Sequence, residues 1–337
     1  MNNEAENKLL KLKRHPEGVA GPGDFECETG PMPSPAEGDV LVETHYVGLD
    51  AALRLIVRDS DEFLFRVQPG DLVFGSVAGQ IIESRNPDWR VGEFVSGSLG
   101  VQRYALSNGD GLERCDVDAM PLSSWLGGYG VSGLTAYFAL YEVCKPQPGQ
   151  TVLVTGAAGA VGSMVGQFAK LAGARAVGLA GGPEKCAWLV DELGYDVAID
   201  YRATDWRNQL EAATPNLADI IFDNVGGDIF DTTLKRINMQ GVALLCGSVS
   251  QYVADEMQGP SNYVHLGTMR ARLQGFVVYD YAEQFPVARQ RMADWTQTGK
   301  LKMPEHIVKG DIDSFPEAFQ QLYNGANRGK MLLDVRG

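Results

Sequence analysis

The pattern of apolar and polar positions splits the chain into a stretch of short β-prone runs and a stretch in which strand-like and helix-like segments alternate. Val40 to Val47, Asp71 to Val77, Gly79 to Glu83 and Glu93 to Val95 are runs of the first kind. Glycine and proline punctuate them at Gly21-Pro22-Gly23, Pro31-Met32-Pro33, Gly38-Asp39 and Pro69-Gly70-Asp71. Many short strands with such turns predict a partly open barrel or a sandwich over residues 1–125. From Gly127 to Tyr141 the apolar period becomes helical, and a Pro148-Gly149 turn follows.

The alternation starts at a β-branched run, Thr151 to Thr155, which meets a glycine-rich turn and then a helical pattern from Ala160 to Leu171. Arg175 to Leu179, Asp219 to Phe222, Gly241 to Leu245 and Gln274 to Tyr279 read as further strands. This predicts a doubly wound α/β fold, a parallel sheet covered by helices on both faces with ligands at the carboxyl ends of its strands. Leu301 to Gly337 is mixed, and its β-prone run Lys330 to Val335 is expected to rejoin the first domain. The expected division is therefore 1–125 with 300–337, and 126–299. There is no internal repeat and no low-complexity linker.

Within that setting the turn from Gly156 to Gly162 carries chemistry. Gly156 permits the tight turn, Gly159 lets the backbone approach a pyrophosphate, and Gly162 lets the helix lie close to the strand. The helix N-terminus presents unpaired N–H groups and a positive dipole end to phosphates. Strand, glycine turn and helix in this order predict a dinucleotide site.

The next strand end discriminates between cofactors. An NAD site places Asp or Glu there to hold the ribose 2′-hydroxyl. This chain reads Ala180-Gly181-Gly182-Pro183-Glu184-Lys185, with no carboxylate at the strand tip to repel a 2′-phosphate. By position alone Lys185 is an ordinary solvated lysine in the first turn of a helix. With the acid missing it is the candidate phosphate reader, and the balance favours NADPH over NADH. Charge-assisted phosphate contacts are worth roughly 1.5–3 kcal/mol.

Composition narrows the function classes. The 337 residues suit two domains, and 45% hydrophobic content is ordinary for packed cores. A net charge of −14 with no basic stripe argues against nucleic acid or an anionic membrane as partner. Cys27, Cys115, Cys144, Cys186 and Cys246 show neither disulfide nor CxxC metal spacing, which fits reduced thiols in a cytoplasmic protein. The stretch Met1 to His15 is polar, with no apolar signal region, and no apolar run reaches transmembrane length.

Gly-Leu-Thr-Ala-Tyr at 133–137, the glycine turn, Asp-Asn-Val-Gly-Gly at 223–227 and Cys-Gly-Ser-Val-Ser-Gln-Tyr at 246–252 resemble the medium-chain dehydrogenase/reductase superfamily. More narrowly they resemble its zinc-free branch of prostaglandin reductases, leukotriene B4 12-hydroxydehydrogenases, plant alkenal double-bond reductases and bacterial curcumin reductases, and Gly-Pro-Ser-Asn-Tyr at 259–263 and Arg-Ala-Arg-Leu-Gln-Gly-Phe-Val-Val at 270–278 resemble the bacterial members. The resemblance covers nearly the whole chain. It implies a Rossmann sheet plus a β-rich, GroES-like partly open barrel. It also implies NADPH-dependent reduction of a carbon–carbon double bond conjugated to a carbonyl: hydride to the β-carbon, an enolate, then protonation of the α-carbon.

By motif match the resemblance places Gly159, Ala160, Val161 and Gly162 on the pyrophosphate. It places Lys185 and Tyr201 at the adenosine 2′-phosphate, with Gly182 also among the cofactor-binding residues. Asn224 and the segment containing Cys246, Gly247, Ser250 and Tyr252 line the cofactor cleft. Phe276, Val277 and Val278 border the nicotinamide, and Asn327 closes over it. From periodicity, Phe276 to Val278 also fit a sheet core, Asn224 also fits a turn, and Tyr201 also fits an exposed strand-end aromatic. Relatives are commonly homodimers joined through their nucleotide domains, and the β-rich edge near 260–280 is the candidate contact.

Metal chemistry is not expected. The chain has four histidines, His15, His45, His265 and His306, and Gly75-Ser76-Val77-Ala78-Gly79 lacks the Gly-His-Glu of zinc-dependent relatives. The chain also departs from its zinc-free relatives. Where they read Val-Asp-Pro-Tyr-Met-Arg, it reads Leu49-Asp50-Ala51-Ala52-Leu53-Arg54, with Ala52 in place of the pocket tyrosine. The segment after Arg58 reads as shortened. Tyr129, Tyr252 and Tyr263 are candidate hydroxyl donors, although a buried tyrosine is more often a core residue. Arg54 is a candidate catalytic residue or a structural ion-pair residue. Three readings stay open: an enone or enal reductase, a quinone reductase of the same fold, and an NADPH-binding protein without turnover.

Overall fold

A computed structural model describes residues 6–60, 66–254 and 256–337. Its contacts divide the chain into two units. One takes the described residues up to Gly127 together with Glu305–Ala326 and Met331–Gly337; the other takes Gly128–Pro304 and Asn327–Lys330. The short return segment 327–330, expected with the β-rich part, therefore groups with the α/β part.

The first unit begins with β1 (Glu6–Leu12) and β2 (Phe25–Pro31), an antiparallel pair. Then come β3 (Val40–Leu49), α1 (Leu53–Ile56), β4 (Ser76–Ser84), β5 (Phe94–Ser98), β6 (Tyr104–Ser107) and β7 (Glu113–Arg114). The β1–β2 pair is invisible in the apolar pattern, because charged residues interrupt both strands. The run expected at Asp71 to Val77 is a strand only from Ser76. Residues before it spend their backbone groups on β1, with Leu12 N–H donating to Asp71 O and Val73 N–H donating to Leu10 O. The segment after Arg58 runs into 61–65, outside the described residues.

The second unit holds α2 (Val131–Phe138), β8 (Thr151–Val154), α3 (Gly162–Leu171), β9 (Arg175–Ala180), α4 (Pro183–Asp191) and β10 (Val197–Asp200). It continues with α5 (Trp206–Ala213), β11 (Ala218–Asp223), α6 (Gly227–Leu234), β12 (Ile237–Leu245), α7 (Val264–Met269), β13 (Arg272–Gly275) and α8 (Phe285–Gln297). Its six strands are parallel in the order β10-β9-β8-β11-β12-β13. Leu153, Val177, Ile199, Ile221 and Ala243, one from each of five neighbouring strands, are buried in one core with Phe230 of α6. The strand expected over Gln274 to Tyr279 ends at Gly275. Its partner β12 stops at Leu245, opposite Gly275, so no ladder remains to extend it. Helix α2 passes into a π-helical stretch, Ala139–Cys144, which ends where Lys145 takes a left-handed conformation before Pro146.

The chain closes with β14 (Glu305–Lys309), α9 (Phe315–Tyr323) and β15 (Lys330–Asp334). In the first unit the sheet order is β14-β15-β3-β4-β5-β7, with β6 also paired to β3. The β-prone run at the C-terminus thus does join the first sheet, through Met331 to Asp334 against β3. Leu10, Val47, Leu49, Phe315, Phe319 and Leu333 share one core.

Candidate active site

In a doubly wound sheet, ligands bind where the strand order reverses, because the loops leaving the two central strands part in opposite directions. Here that point lies between β8 and β11. The glycine turn leaves β8 and the Asp223-Asn224 loop leaves β11. Gly156 has φ +60, and a Cβ on Gly162 would lie 2.4 Å from Gly156 O and 2.7 Å from Ala157 Cα. The close approach is between backbone segments, so no side-chain rearrangement could admit a larger residue. Helix α3 starts at Gly162 with no side-chain cap; Ser163 N–H donates to Gly159 O and Met164 N–H to Val161 O, so the N–H groups turned toward a ligand are those of Ala160, Val161 and Gly162. Gly156, Gly159, Ala160 and Val161 are half-buried and Gly162 is buried. This is a cradle for an anion beside the chain.

The loop leaving β11 is laced to the same turn. Thr155 Oγ1 donates to Asp223 Oδ1 at 2.6 Å and accepts from Asn224 N–H at 2.9 Å. Asn224 Nδ2 donates to Thr155 O at 2.8 Å, and Gly226 N–H donates to Asp223 Oδ2 at 2.9 Å. Burial pushes the Asp223 carboxyl up to about 6, against these hydrogen bonds, which favour the charged form. The next loop hangs from the same residues: Cys246 and Gly247 N–H donate to Asp223 O, and Ser250 N–H and Oγ donate to Val225 O. Tyr252 Oη accepts from Ser248 N–H at 3.1 Å, and burial raises its hydroxyl above the ordinary tyrosine range. Burial, with Asp223 and Cys144 nearby, pushes the Cys246 thiol up to about 12. Both groups are thereby kept protonated at neutral pH. The structure therefore gathers Gly156, Gly159, Asn224, Cys246, Gly247, Ser250 and Tyr252 around one strand-end crevice. Asp223 and Thr155, its hub, were missed in the sequence; the signal was a polar pair at the ends of two apolar strands.

At the tip of β9 the expected absence of an acid needs one addition. Asp200, at the end of the neighbouring β10, reaches across, and its Oδ1 accepts from Gly182 N–H at 2.8 Å and Arg202 N–H at 2.9 Å. Lys185 is half-buried in the first turn of α4. Burial holds its ammonium below the ordinary lysine range, and Arg202 and Arg328 push the same way. Tyr201 is half-buried at the same tip.

The remaining candidates spread out. Val278 is buried, Phe276 half-buried and Val277 exposed. Asn327 is buried, and its Nδ2 donates to Gly329 O at 2.8 Å. Tyr263 is 63% exposed, in a segment anchored by Ser261 and Asn262 to Asp231 of α6. Tyr129 is buried, and its carbonyl accepts from Arg289 Nε at 3.0 Å. In the first unit Arg54 is buried, with Nε donating to Gly18 O at 2.6 Å and Nη2 to Pro16 O at 2.9 Å. That is a clamp on a loop, which gives Arg54 a structural task of its own. Ala52 is exposed. Among the described residues no group of three or more His, Cys, Asp or Glu side chains could hold a metal ion.

The model for the N-terminal domain of oxidoreductase matches residues 8–115, and the model for zinc-binding dehydrogenase matches residues 160–294. The chain is 36% identical over 338 residues to the NADPH-dependent curcumin reductase of Escherichia coli, covering 98% of this chain and 97% of that protein. It is 36% identical over 333 residues to prostaglandin reductase 1 of Bos taurus, covering 97% of this chain and 98% of that protein. Among solved structures it is similar to CurA in complex with NADPH from Vibrio vulnificus, with a TM-score of 0.92, 34% identity, and coverage of 98% of this chain and 99% of that one.

Proposed function

The chain belongs to the NADP-dependent reductases of the medium-chain dehydrogenase/reductase superfamily, and we propose that it reduces the carbon–carbon double bond of an α,β-unsaturated ketone or aldehyde. The observation that supports this most is the crevice at the strand-order reversal, where a backbone cradle, a clustered set of cations at the β9 tip and a protonated tyrosine belong to one unit. The cradle fits a dinucleotide, since a Cβ on Gly162 would fill the space that the close helix–strand approach needs.

When bound, NADPH supplies the hydride that saturates the β-carbon of the acceptor. Ala160, Val161 and Gly162 would hold the pyrophosphate through backbone N–H groups, while Gly159, whose own N–H donates to Gly156 O, lets the chain approach it. Gly182, Lys185 and Tyr201 take the adenosine phosphate. Asn224 and the 246–252 loop form the wall of the cleft, while Phe276, Val277, Val278 and Asn327 bound the nicotinamide side. As charge builds on the carbonyl oxygen, a preorganised donor is needed, worth about 2.7–4 kcal/mol where such donors have been removed. Tyr252 is the first choice, because its raised hydroxyl keeps its proton and already has a backbone donor fixing its oxygen. Tyr263 is the exposed second choice and Tyr129 the buried third. Arg54 acts in this reading by holding its loop.

We read the reaction as zinc-independent, because Gly75-Ser76-Val77-Ala78-Gly79 lacks the Gly-His-Glu of zinc-dependent relatives. No helix of the described residues is long and apolar enough to cross a membrane. The cytoplasmic reading rests on the five scattered cysteines, all free thiols. Strand β13 ends the parallel sheet, and Leu273 on it is exposed, so a homodimer through this edge is the proposed assembly. Sedimentation velocity on the L273K variant tests it: the wild type should run as a dimer and the variant as a monomer.

The deciding experiment follows loss of reduced nicotinamide absorbance with short enals, aryl enones and quinones, with NADH as the control. Turnover of an enone to the saturated carbonyl, with NADPH preferred, is expected. Turnover of quinones alone would reassign the acceptor. Tight cofactor binding without turnover on any of them would defeat the reductase reading.

A further inference from the structure

The return segment 327–330 is pinned to the glycine turn. Gly329 N–H donates to Ala158 O at 2.9 Å, Gly159 and Gly329 form a parallel bridge, and Lys330 N–H donates to Pro304 O at 3.0 Å. Arg328 lies inside this pinned stretch, so its backbone has little freedom. Its Nη2 stands 3.4 Å from Glu184 Oε2, and Glu184 immediately precedes Lys185 in α4. A residue remote in sequence is thus delivered to the first turn after the β9 tip.

Arg202 arrives from the other side. A Cβ on Gly181 would lie 2.8 Å from Tyr201 Oη and 3.0 Å from Arg202 Nε, so both side chains close over that tip. The two carboxylates nearby are already engaged: Asp200 accepts two backbone N–H groups, and Glu184, with 88% of its side chain exposed, pairs with Arg328. Three cations around one strand end repel one another, a cost that a dianion between them would reverse.

We propose that Arg328 and Arg202 join Lys185 in a three-cation cradle for the ribose 2′-phosphate, with Arg328 as a residue that determines preference for NADPH over NADH. This rests on the NADPH reading above. The guanidinium forks of Arg328 and Arg202 match phosphate oxygens better than a single ammonium does. Burial is the main reason the Lys185 ammonium lies below the ordinary lysine range, and Arg202 and Arg328 add to it.

Direct binding tests it without turnover. Fluorescence titrations of the full chain with NADPH and with NADH give the two Kd values for the wild type and for R328Q, R202Q, R328K and E184Q. R328Q should raise the NADPH Kd about tenfold, the effect of losing one charge-assisted phosphate contact. R202Q should act in the same direction. In both, the NADH Kd should stay within about twofold, which a folding defect would not permit. R328K should recover part of the loss, and E184Q, which frees Arg328 from its carboxylate, should tighten NADPH. A wild-type preference for NADPH that R328Q keeps intact overturns the role of Arg328 and leaves the NADPH reading standing. A wild type that binds both dinucleotides equally overturns both.

Discussion

The glycine turn of the second unit and the Leu49 to Arg58 segment of the first are both short connections at the ends of strands, and they are built in opposite ways. The turn is set by backbone: Gly156 with positive φ, and Gly162 so close to Gly156 O that no side chain fits. The 49–58 segment is set by side chains. Its helix α1 has four residues and no side-chain cap. It is held by the Arg54 guanidinium on Pro16 O and Gly18 O, and by Tyr323 Oη donating to Ala51 O at 2.7 Å. Ala52, between those anchors, is exposed. The contrast teaches where change is cheap. A site made of backbone N–H groups cannot vary at its glycines. A segment clamped at Ala51 and Arg54 can exchange residue 52 without disturbing its own fold.

The largest effect should come from the turn. G162V forces a branched side chain into backbone 2.4 Å away, and NADPH affinity should fall about a hundredfold or more, roughly 3 kcal/mol. The thermal midpoint should fall with it. A variant that binds NADPH normally in a fluorescence titration would break the comparison at its root.

Asp223 supplies a second handle. D223N should weaken NADPH binding about tenfold, roughly 1.4 kcal/mol, because an asparagine side chain has one acceptor oxygen where the carboxylate serves both the Thr155 hydroxyl and Gly226 N–H, which loosens the Asn224 to Gly226 turn; the Cys246 and Gly247 bonds to the Asp223 main-chain oxygen stay. Its pH signature has a definite sign. The folded value of about 6 lies above the reference 3.8, so the folded state holds the proton more tightly than the unfolded chain. The contribution to stability is fully present below pH 3.8 and lost as pH rises through about 6. The stability of wild type relative to D223N, from urea unfolding, should therefore decline by up to roughly 3 kcal/mol across that window and be flat above it. A difference that rises with pH there would contradict the assignment.

In the first unit R54M should cost about 1–3 kcal/mol in urea unfolding, since two loop carbonyls lose their charged donor. Its NADPH Kd should match the wild type, because the cradle lies in the other unit. A large loss of NADPH affinity would show that Arg54 does more than hold its loop.

The smallest effect on the fold should come from A52Y, within about 0.5 kcal/mol, as the position is exposed. Its effect should be confined to the acceptor: NADPH Kd unchanged, and the kcat/KM ratio between an aryl enone and a short enal shifted about tenfold, roughly 1.4 kcal/mol. An unchanged ratio would remove residue 52 from acceptor selection.

Much of this architecture was legible from periodicity. The β8–turn–α3 unit, β9, β11, β12 and the final β15 lie within a few residues of where apolar spacing puts them, while β10 has no counterpart among the expected strands. Three further features were not legible. The β1–β2 pair is broken by charges, and β13 is shortened by the end of its partner. The return of 327–330 to the second unit depends on hydrogen bonds to Ala158 and Pro304. Among candidate site residues, Gly156, Gly159, Gly162 and Lys185 announced themselves through spacing and a missing acid. Asp200, Arg202, Asp223 and Arg328 did not.

The sequence by itself determined the alternation of strands and helices, the glycine turn and the NADPH-favouring strand end. These are local properties, set by side-chain period and by the conformations glycine permits. Tertiary structure decided which charges meet. It tied Asp223 to Thr155, 68 positions away, turned Asp200 onto the β9 tip, and put Arg328 beside Glu184, 144 positions away. The reason is physical: a charge acts through distance and burial, and neither can be read until the chain has folded.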